Sequence, residues 1–535
     1  MKTLPLLLAV LSATVAALGA DQPGGALGSL AQDAEIVETR TEAPRLKPPA
    51  PYEMKDNTID VELSEYAGYA GLIVANGGLA PSDDSVFARK HGFKVRITIS
   101  ESESWSGLNS GRIAASATTP DVLAVYGKQL QVVVPAQIGF SRGADAIVVR
   151  TGIKSINDLK GKVLASVQFT EADFFLRYLA GEAGLAVSAL PDLKTPPVPG
   201  KVNVVYCGDA EGAAKIFVRD LKAGRSRLAG CVGWAPFTTD AVSESDGKAS
   251  ILVSNRNLLI IADVLIVNRG FAAANPKVVT GLVAGLLEGN RMVRENAEAH
   301  LDIICKAFKW DDKARARAEL ARVHLANLPE NLAFFSGTID SAGSFGYIYQ
   351  SAVLAYGSEF IRNPIDAEKF LDLSHLKAIE QAGTFKDQKI AIAPIRSGGT
   401  TAVEGDPLLS KDVRFLFQPN SDVLDMTSQD NLRNFEIIRK LLQVSPGSTV
   451  MLRGHVDPGR IPEIRKQGGE AAVRAFALKA MALSKSRAEA VRRILIEKYS
   501  VDASRIEAVG RGWEEPLGTD AEQNRRVEVQ WFTLE

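Results

Sequence analysis

Cysteine is scarce in this chain of 535 residues, and its scarcity narrows the chemistry available to the protein. The three cysteines are Cys207, Cys231 and Cys305, and no CxxC pair or Cys/His cluster accompanies them. Such clusters are the usual ligands of structural zinc, so the sequence predicts no metal site. An odd count allows at most one bridge within the chain. Cys207 and Cys231 are the better candidates for a disulfide. The alternative is three buried thiols that pack as small apolar side chains.

An excess of charge of one sign is also missing. The chain has 62 basic and 63 acidic side chains, which gives a net charge of -1. No basic stripe with interleaved aromatic residues is present, so a nucleic-acid partner is not expected. After the first twenty residues there is no run of about 18 apolar residues, the length that a membrane-spanning helix needs.

Recognisable catalytic motifs are absent as well. The five histidines are scattered along the chain. No GxSxG elbow or phosphate-binding P-loop accompanies them. The sequence therefore predicts no catalytic residue and no cofactor, and we expect the protein not to be an enzyme.

The chain begins with a pattern typical of export. Lys2 precedes an apolar run from Leu4 to Leu18, and Gly19 and Ala20 follow before the charged Asp21. This pattern predicts a secretory signal peptide at residues 1–20. No cysteine lies near the cleavage site to accept a lipid. We therefore expect a soluble mature protein in the periplasm.

Composition divides the remaining residues into four parts. Residues 21–52 mix proline, alanine and charge without a regular period, which predicts a tether. Residues 53–386 alternate β-rich runs with helical stretches, the signature of an α/β domain. Residues 387–410 contain a glycine-rich linker. Residues 411–535 form an α+β sandwich, with strands predicted at 413–417, 449–453, 505–509 and 527–531 and helices at 430–442 and 477–499.

Four motifs in the last part follow each other in a recognisable order. They are Gly454-His455-Val456-Asp457, Leu483-Ser484-Lys485-Ser486-Arg487-Ala488, Gly510-Arg511-Gly512 and Asn524-Arg525-Arg526-Val527-Glu528. This set resembles the OmpA-like peptidoglycan-binding domain. The resemblance implies that Asp457 and Arg487 hold the diaminopimelate of peptidoglycan stem peptides. One carboxylate and one guanidinium match the ammonium and carboxylate of that amino acid. In the segment that includes Asn524, Arg525 either joins the same pocket or only neutralises Glu528 and its neighbours.

The segment also departs from this family pattern. Val456 stands where the family usually has threonine, and Ala480 replaces an asparagine. Residues 460–479 lengthen the stretch between the first two motifs. This insertion is either a loop beside the groove or a change in the groove's shape.

The front domain carries a second ordered set of motifs. They are Gly68-Tyr69-Ala70-Gly71-Leu72, Leu108-Asn109-Ser110-Gly111, Lys154-Ser155-Ile156-Asn157-Asp158-Leu159-Lys160-Gly161-Lys162, Gly233-Trp234-Ala235-Pro236-Phe237 and Asn331-Leu332-Ala333-Phe334-Phe335. This set resembles the substrate-binding proteins of the nitrate, taurine and aliphatic sulfonate transport family, which implies a bilobal type II periplasmic-binding-protein fold with a ligand between the lobes. An inner-membrane ABC permease is the partner that the resemblance implies.

Ligand pockets form where loops leave the carboxyl ends of such strands. On that basis we expect nine residues near the cleft: Tyr69, Trp105, Thr118, Thr119, Arg142, Gln168, Thr170, Glu171 and Trp234. Tyr69 and Trp234 can equally be core aromatic residues, and Arg142 can belong to a solvated turn. Glu171 and Asp173 stand where the family usually carries basic or aromatic residues. An acid facing the cleft favours an amine over a sulfonate or nitrate.

Two functions follow from this arrangement. The first is a non-catalytic solute-binding protein, anchored to peptidoglycan, that captures a small metabolite for transport or sensing. The alternative is a structural envelope protein that tethers a docking module to the wall and no longer uses its cleft. An enzyme on the bilobal scaffold is disfavoured by the missing catalytic motifs.

Overall fold

The computed structural model describes residues 35–100, 104–337, 343–392, 407–413, 415–418, 421–445 and 447–532. The predicted signal peptide, residues 21–34 of the predicted tether and residues 393–406 of the predicted linker lie outside these described residues.

Twelve strands of the described chain build the front domain as two sheets of six strands each. Their bounds are β1 Thr58–Leu63, β2 Lys94–Ile99, β3 Ala115–Thr118, β4 Val132–Ser141, β5 Asp145–Arg150, β6 Val163–Val167, β7 Val187–Ala189, β8 Val202–Cys207, β9 Gly230–Trp234, β10 Ala249–Ser254, β11 Ala262–Asn268 and β12 Val323–Leu325.

The sheet of the first lobe has the order β12-β4-β11-β3-β1-β2, and that of the second lobe has β10-β5-β9-β6-β8-β7. Both sheets mix parallel and antiparallel pairs. The strands β4, β6, β8 and β11 are buried along their whole length, as expected of strands covered by helices on both faces.

Helices cover these sheets. They are α1 Ala70–Asn76, α2 Val86–His91, α3 Trp105–Asn109, α4 Pro120–Tyr126, α5 Glu171–Glu182, α6 Ala210–Lys222, α7 Phe237–Ser243, α8 Arg269–Ala274, α9 Pro276–Glu295, α10 Leu301–Phe308, α11 Lys313–Leu320, α12 Leu328–Ser336, α13 Phe345–Phe360 and α14 Ser374–Gln381. The predicted bilobal α/β fold is confirmed.

Between β4 and β11 the chain crosses from the first lobe to the second and back, because all strands of the second sheet lie between these two strands in sequence. Asn255 lies in the second crossing segment and is hydrogen-bonded to the first. Its Oδ1 accepts hydrogen bonds from Ser141 Oγ at 3.2 Å and from Gly143 N at 2.8 Å. Its own N–H donates to Asp145 O at 2.9 Å. Two crossing segments held side by side are the architecture of a hinge that lets two lobes close over a ligand.

Residues 35–52, the described part of the predicted tether, pack on the front domain. Arg219 pairs with Glu35 at 2.6 Å on the second lobe. Asn268 Nδ2 donates to Ala50 O at 2.9 Å on the first lobe. The segment therefore runs from one lobe to the other, because its main-chain groups find partners on both.

The C-terminal domain has a four-stranded sheet of order β13-β16-β14-β15. Its strands are β13 Leu409–Val413, β14 Thr449–Gly454, β15 Ile506–Gly510 and β16 Val527–Phe532, and its helices are α15 Gln429–Val444, α16 Ile461–Tyr499 and α17 Ala521–Asn524. The strand predicted at 413–417 ends at Val413 instead, and begins four residues earlier.

The 460–479 insertion is helical and extends α16 towards its N-terminus. The helix is broken at Gly468 and Gly469, where Gly469 adopts a φ of 62°, a conformation that glycine accepts without steric cost. The prediction of a helix at 477–499 therefore captured only its second part.

The C-terminal domain docks on the second lobe. Ile156 N donates to Leu408 O at 2.8 Å, and Ser410 N donates to Asn157 Oδ1 at 3.0 Å. Lys411 pairs with Glu182 of α5 at 3.3 Å. Main-chain bonds of this kind fix the orientation of the first strand of the domain.

Candidate functional sites

The strand ends of both sheets meet in the cleft between the lobes. There they enclose a small cavity of about 20 Å³, which we call the inner cavity. An outer cavity of about 370 Å³ shares Ser64 and Trp234 with it. The inner cavity is lined by Ser64, Tyr66, Tyr69, Asp145, Glu171, Trp234, Ile261 and Asp263.

Three of the residues that line the inner cavity are acidic. Asp145 begins β5 and is 2% exposed. Asp263 lies in β11 and accepts a hydrogen bond from Tyr69 Oη at 3.0 Å. Glu171 opens helix α5. None of the residues described as lining this cavity is a lysine or arginine, so the enclosed surface is acidic.

Several buried oxygen atoms beside the cleft have no hydrogen-bond partner among the described residues. They include Tyr66 Oη, Asp145 Oδ1, the hydroxyl oxygens of Thr118 and Thr119, and both carboxylate oxygens of Asp121. Buried polar groups in native proteins nearly always have a partner. Of these residues, Tyr66 and Asp145 line the inner cavity.

Burial raises the pKa values of several side chains in this region. It raises the pKa of Asp121 to about 7, although the neighbouring Thr119 hydroxyl favours the charged form. Burial also raises the pKa of Asp145, and the charge of Asp121 acts in the same direction. The pKa of the Tyr66 phenol is raised well above its ordinary value by burial and by the charge of Asp263. Each acid holds its proton more tightly than it would in water.

The structure brings together some of the residues predicted for the cleft. Tyr69, Glu171 and Trp234 line the inner cavity. Thr118 and Thr119 are buried at the end of β3, where Thr118 pairs with Val264, the neighbour of Asp263.

The other four predicted residues are not among those that line the inner cavity. Trp105 is buried in the hydrophobic core with its ring 6.5 Å from that of Tyr126. Arg142 donates its Nε to Arg256 O at 2.7 Å. Gln168 donates its Nε2 to the main chain of residue 40 at 2.7 Å. Thr170 Oγ1 donates to Val167 O at 2.9 Å. These side chains make internal contacts, and their assignment to the cleft stays a prediction.

Sequence reasoning missed Tyr66, Asp145 and Asp263. Asp263 did leave a signal, since it is the one acid within the apolar run 258–267. A lone acid in a buried strand requires a partner or a function. Asp145 stands at the start of its strand and gave no such signal.

The second candidate site lies in the C-terminal domain, beyond the end of β14. Asp457 Oδ1 accepts a hydrogen bond from Asn524 Nδ2 at 3.2 Å. Its Oδ2 accepts one from Gly459 N at 3.1 Å. Asn524 is itself held by Leu517 N, which donates to its Oδ1 at 2.9 Å. The structure thus joins two of the four predicted residues directly.

The other two residues predicted for this site are Arg487 and Arg525. Arg487 Nε donates to Ser421 O at 3.1 Å, and its guanidinium lies 5.1 Å from the centre of the Phe417 ring. Burial lowers the pKa of Arg487, and the nearby charge of Arg525 lowers it further. Arg525 follows Asn524 in sequence and is exposed. The region therefore offers two guanidinium groups and the carboxylate of Asp457, and the charge of Asp422 also acts on Arg487.

The motif glycines let helix α16 lie directly on the sheet. A Cβ at Gly454 would lie 2.0 Å from Ser484 O, and a Cβ at Gly510 would lie 2.6 Å from Met481 O. Both contacts are with main-chain atoms, which cannot turn aside as a flexible side chain would. The two glycines therefore set the height of the helix that carries Arg487.

We expect Gly454→Ala to lower the free energy of unfolding of the C-terminal domain by about 1–3 kcal/mol, because overpacking forces the backbone to shift. Urea unfolding of the full chain, followed by the fluorescence of Trp531 and the other tryptophans, measures the change. Gly518→Ala is the matched control, since a Cβ there would meet nothing within 4 Å. Equal stability of the two variants would contradict the role given to Gly454.

The predicted Cys207–Cys231 disulfide is wrong. Both thiols are free and buried. Cys207 lies on β8 and Cys231 on β9, and β6 separates these strands. Two strand spacings amount to about 10 Å, beyond the roughly 7 Å that a bridge can span between Cα atoms. Burial raises the pKa of the Cys207 thiol to about 12, so the group stays protonated.

Two other features were sought in the described part of the chain. No helix there has both the length and the apolar character needed to cross a bilayer. No group of three or more histidine, cysteine or acidic side chains within the described ranges is arranged to hold a metal ion.

Residues 416–530 match the sequence profile of the OmpA family. The C-terminal domain is thus an OmpA-family domain, and the resemblance stated for its four motifs is confirmed.

The front part is similar to binding proteins of Brucella. A binding protein of Brucella abortus (strain 2308) and one of Brucella suis biovar 1 (strain 1330) are each 25% identical to it over 182 residues. The match covers 34% of this chain and 50% of each relative. The chain thus spans about half the length of the curated relatives it matches.

Solved structures of binding proteins are also similar to the front domain. The alkanesulfonate-binding protein SsuA of Xanthomonas axonopodis pv. citri, bound to MOPS, is 14% identical, with a TM-score of 0.45, over 60% of this chain and 99% of that chain. The nitrate-binding protein NrtA of Synechocystis PCC 6803 is 14% identical, with a TM-score of 0.43, over 63% of this chain and 91% of that chain.

Proposed function

We propose that this protein is a non-catalytic periplasmic solute-binding protein held non-covalently on peptidoglycan by its C-terminal domain. The observation that carries the proposal is the union, in one chain, of a hinged bilobal domain with a polar interlobe cavity and an OmpA-family domain. The front domain captures a small solute and presents it to a partner, such as an inner-membrane ABC permease.

In the proposed wall contact, Asp457 receives the ammonium of a diaminopimelate residue, and Asn524 fixes the orientation of that carboxylate through their 3.2 Å hydrogen bond. Arg487 receives the carboxylate of the same residue, with Arg525 beside it. Stacking on Phe417 limits the conformations of Arg487. A guanidinium held in place loses less entropy when it binds.

In the proposed capture step, the lobes close about the paired crossings at Asn255. Closure brings Trp234 of the second lobe towards Ser64 of the first, and both residues already line the two cavities. A solute that contacts both lobes stabilises the closed form, so binding and closure are coupled.

Retention on purified sacculi tests the wall contact. We expect Asp457→Ala and Arg487→Ala each to weaken retention of the full chain about tenfold, since each removes one charged partner of the ligand. Free meso-diaminopimelate should compete with the sacculi. Sacculi that carry lysine in place of diaminopimelate should retain the unaltered chain poorly.

Arg493→Ala is the matched control. Arg493 is exposed on the same helix as Arg487, but it lines a separate groove with Asp422 and Glu489. Its loss should leave retention unchanged. If Arg493→Ala released the protein while Arg487→Ala did not, the wall would bind that groove and the assigned site would be wrong.

A further inference from the structure

The inner cavity is acidic and small, and these two properties together restrict what can enter it. Asp145, Glu171 and Asp263 line it, and no basic side chain is among its described lining residues. An anion would meet three carboxylates there without a counter-charge. Like charges within a poorly solvated site repel strongly.

A second observation, independent of the acidic cluster, points to a ligand. Tyr66 lines the same cavity, is 6% exposed, and its hydroxyl has no hydrogen-bond partner among the described residues. Asp145 Oδ1 is also buried and also has no hydrogen-bond partner among the described residues. A phenol oxygen and a carboxylate oxygen can both accept, so a group rich in N–H donors would satisfy them together.

The size of the cavity agrees with a single donor group. About 10–15 Å³ is needed to hold one water-sized group, and the inner cavity has about 20 Å³. An ammonium head fits this space. Aromatic rings stand at its wall: Tyr66 and Tyr69 pack edge to face at 5.2 Å, and Trp234 closes one side. Aromatic faces attract cations.

The outer cavity suits the remainder of such a solute. Its apolar wall includes Leu79, Ile97 and Phe308, and its rim carries Glu65, Asp209 and Lys309. Its volume of about 370 Å³ lies at the lower end of ligand pockets in general. The two cavities share Ser64 and Trp234, so one molecule can extend from the inner into the outer cavity.

We propose that the cleft binds a small organic cation, with a primary ammonium group in the inner cavity and its carbon chain in the outer cavity. Asp145 and Asp263 supply the counter-charge, and the Tyr66 hydroxyl accepts one of the three N–H bonds. This inference rests on the proposed solute-binding function of the front domain and names the class of its solute.

Isothermal titration calorimetry of the full chain with matched four-carbon probes tests the proposal. We expect n-butylamine to bind, and butanol and butanesulfonate to produce no binding heat. Asp145→Asn should weaken n-butylamine about tenfold by removing the charge at constant size. Tyr66→Phe should weaken it severalfold by removing only the hydroxyl. Asp302→Asn, an exposed exchange on the first lobe, should leave the affinity unchanged.

Each result that contradicts these expectations leads to a different conclusion. If butanesulfonate binds and n-butylamine does not, the cation assignment is overturned while solute capture stands. If n-butylamine binds with equal affinity to the Asp145→Asn and Tyr66→Phe variants, the inner cavity is not its site. If neither the amine nor the sulfonate binds, both the cation assignment and solute capture by this cleft fail, and retention on sacculi is unaffected.

Discussion

Replacing Asp173 with alanine is expected to lower the free energy of unfolding of the front domain by about 3–5 kcal/mol. Asp173 is fully buried in α5, and its Oδ1 accepts hydrogen bonds from Arg177 Nε and Tyr206 Oη, each at 2.9 Å. Arg177 also donates to Tyr206 Oη at 2.9 Å. Removing the carboxylate leaves a buried guanidinium without its counter-charge, which is far more costly than losing an exposed pair.

The aromatic rings around Arg177 increase the expected cost of leaving its charge unpaired. Its guanidinium lies 5.2 Å from the centre of the Tyr356 ring and 4.8 Å from that of Phe360. These rings exclude water from the stranded charge. Urea unfolding of the full chain, followed by circular dichroism, measures the loss.

Two controls separate the charge effect from lost packing. The double variant Asp173→Ala/Arg177→Met should recover most of the stability, because replacing both members of a buried pair with apolar groups is often neutral. Lys215→Ala breaks an exposed pair with Glu211 on α6 and should cost less than about 0.5 kcal/mol. A double variant as unstable as Asp173→Ala would mean that packing, not the unpaired charge, dominates.

The architecture of the chain was largely predictable from its sequence because local patterns determine it. The predicted strands at 449–453, 505–509 and 527–531 coincide with β14, β15 and β16 to within one residue at each end. The C-terminal domain was predictable through short motifs whose glycines have steric roles, as Gly454 shows. Such requirements are local, so they appear as fixed residues at fixed spacing.

The cleft was predictable only in part because distant strands assemble it. Asp145 and Asp263 are separated by a whole lobe in sequence, and only the order of strands in the two sheets brings them to one cavity. Gln168 has the expected position along the chain, but residue 40 occupies its side chain. The position of a residue at the end of a strand does not show whether its side chain is already hydrogen-bonded to another part of the chain.

Cysteine pairing failed for a related reason. Cys207 and Cys231 are close in sequence and lie in strands of the same sheet, but β6 lies between those two strands. Strand order depends on the crossover connections of the whole lobe, and nothing in the neighbourhood of either cysteine encodes it.

Replacing Asp121 with asparagine is expected to remove much of the pH dependence of stability between pH 4 and pH 8. Asp121 is fully buried in the first turn of α4, and neither carboxylate oxygen has a partner among the described residues. Burial raises its pKa to about 7 from an ordinary value near 3.8, and the charge of Asp173 acts in the same direction.

The sign follows from proton linkage. Between pH 4 and pH 7 the folded protein keeps a proton on Asp121 that the unfolded chain has lost, so stability falls as the pH rises. The fall ends above pH 7, where both states are ionised. Each pH unit corresponds to about 1.4 kcal/mol, so this group accounts for a decrease of about 4 kcal/mol at most across the window.

Urea unfolding of the full chain at pH 4, 6 and 8 measures the effect. The Asp121→Asn variant should show a fall between pH 4 and pH 8 that is smaller than that of the unaltered chain by about 2–4 kcal/mol. Asp83→Asn, the same exchange at an exposed position on the first lobe, should keep the original fall. An unchanged fall in Asp121→Asn would mean that this acid is already ionised in the folded protein at low pH. In that case a cation or a water network beside Asp121 would have to stabilise its charge.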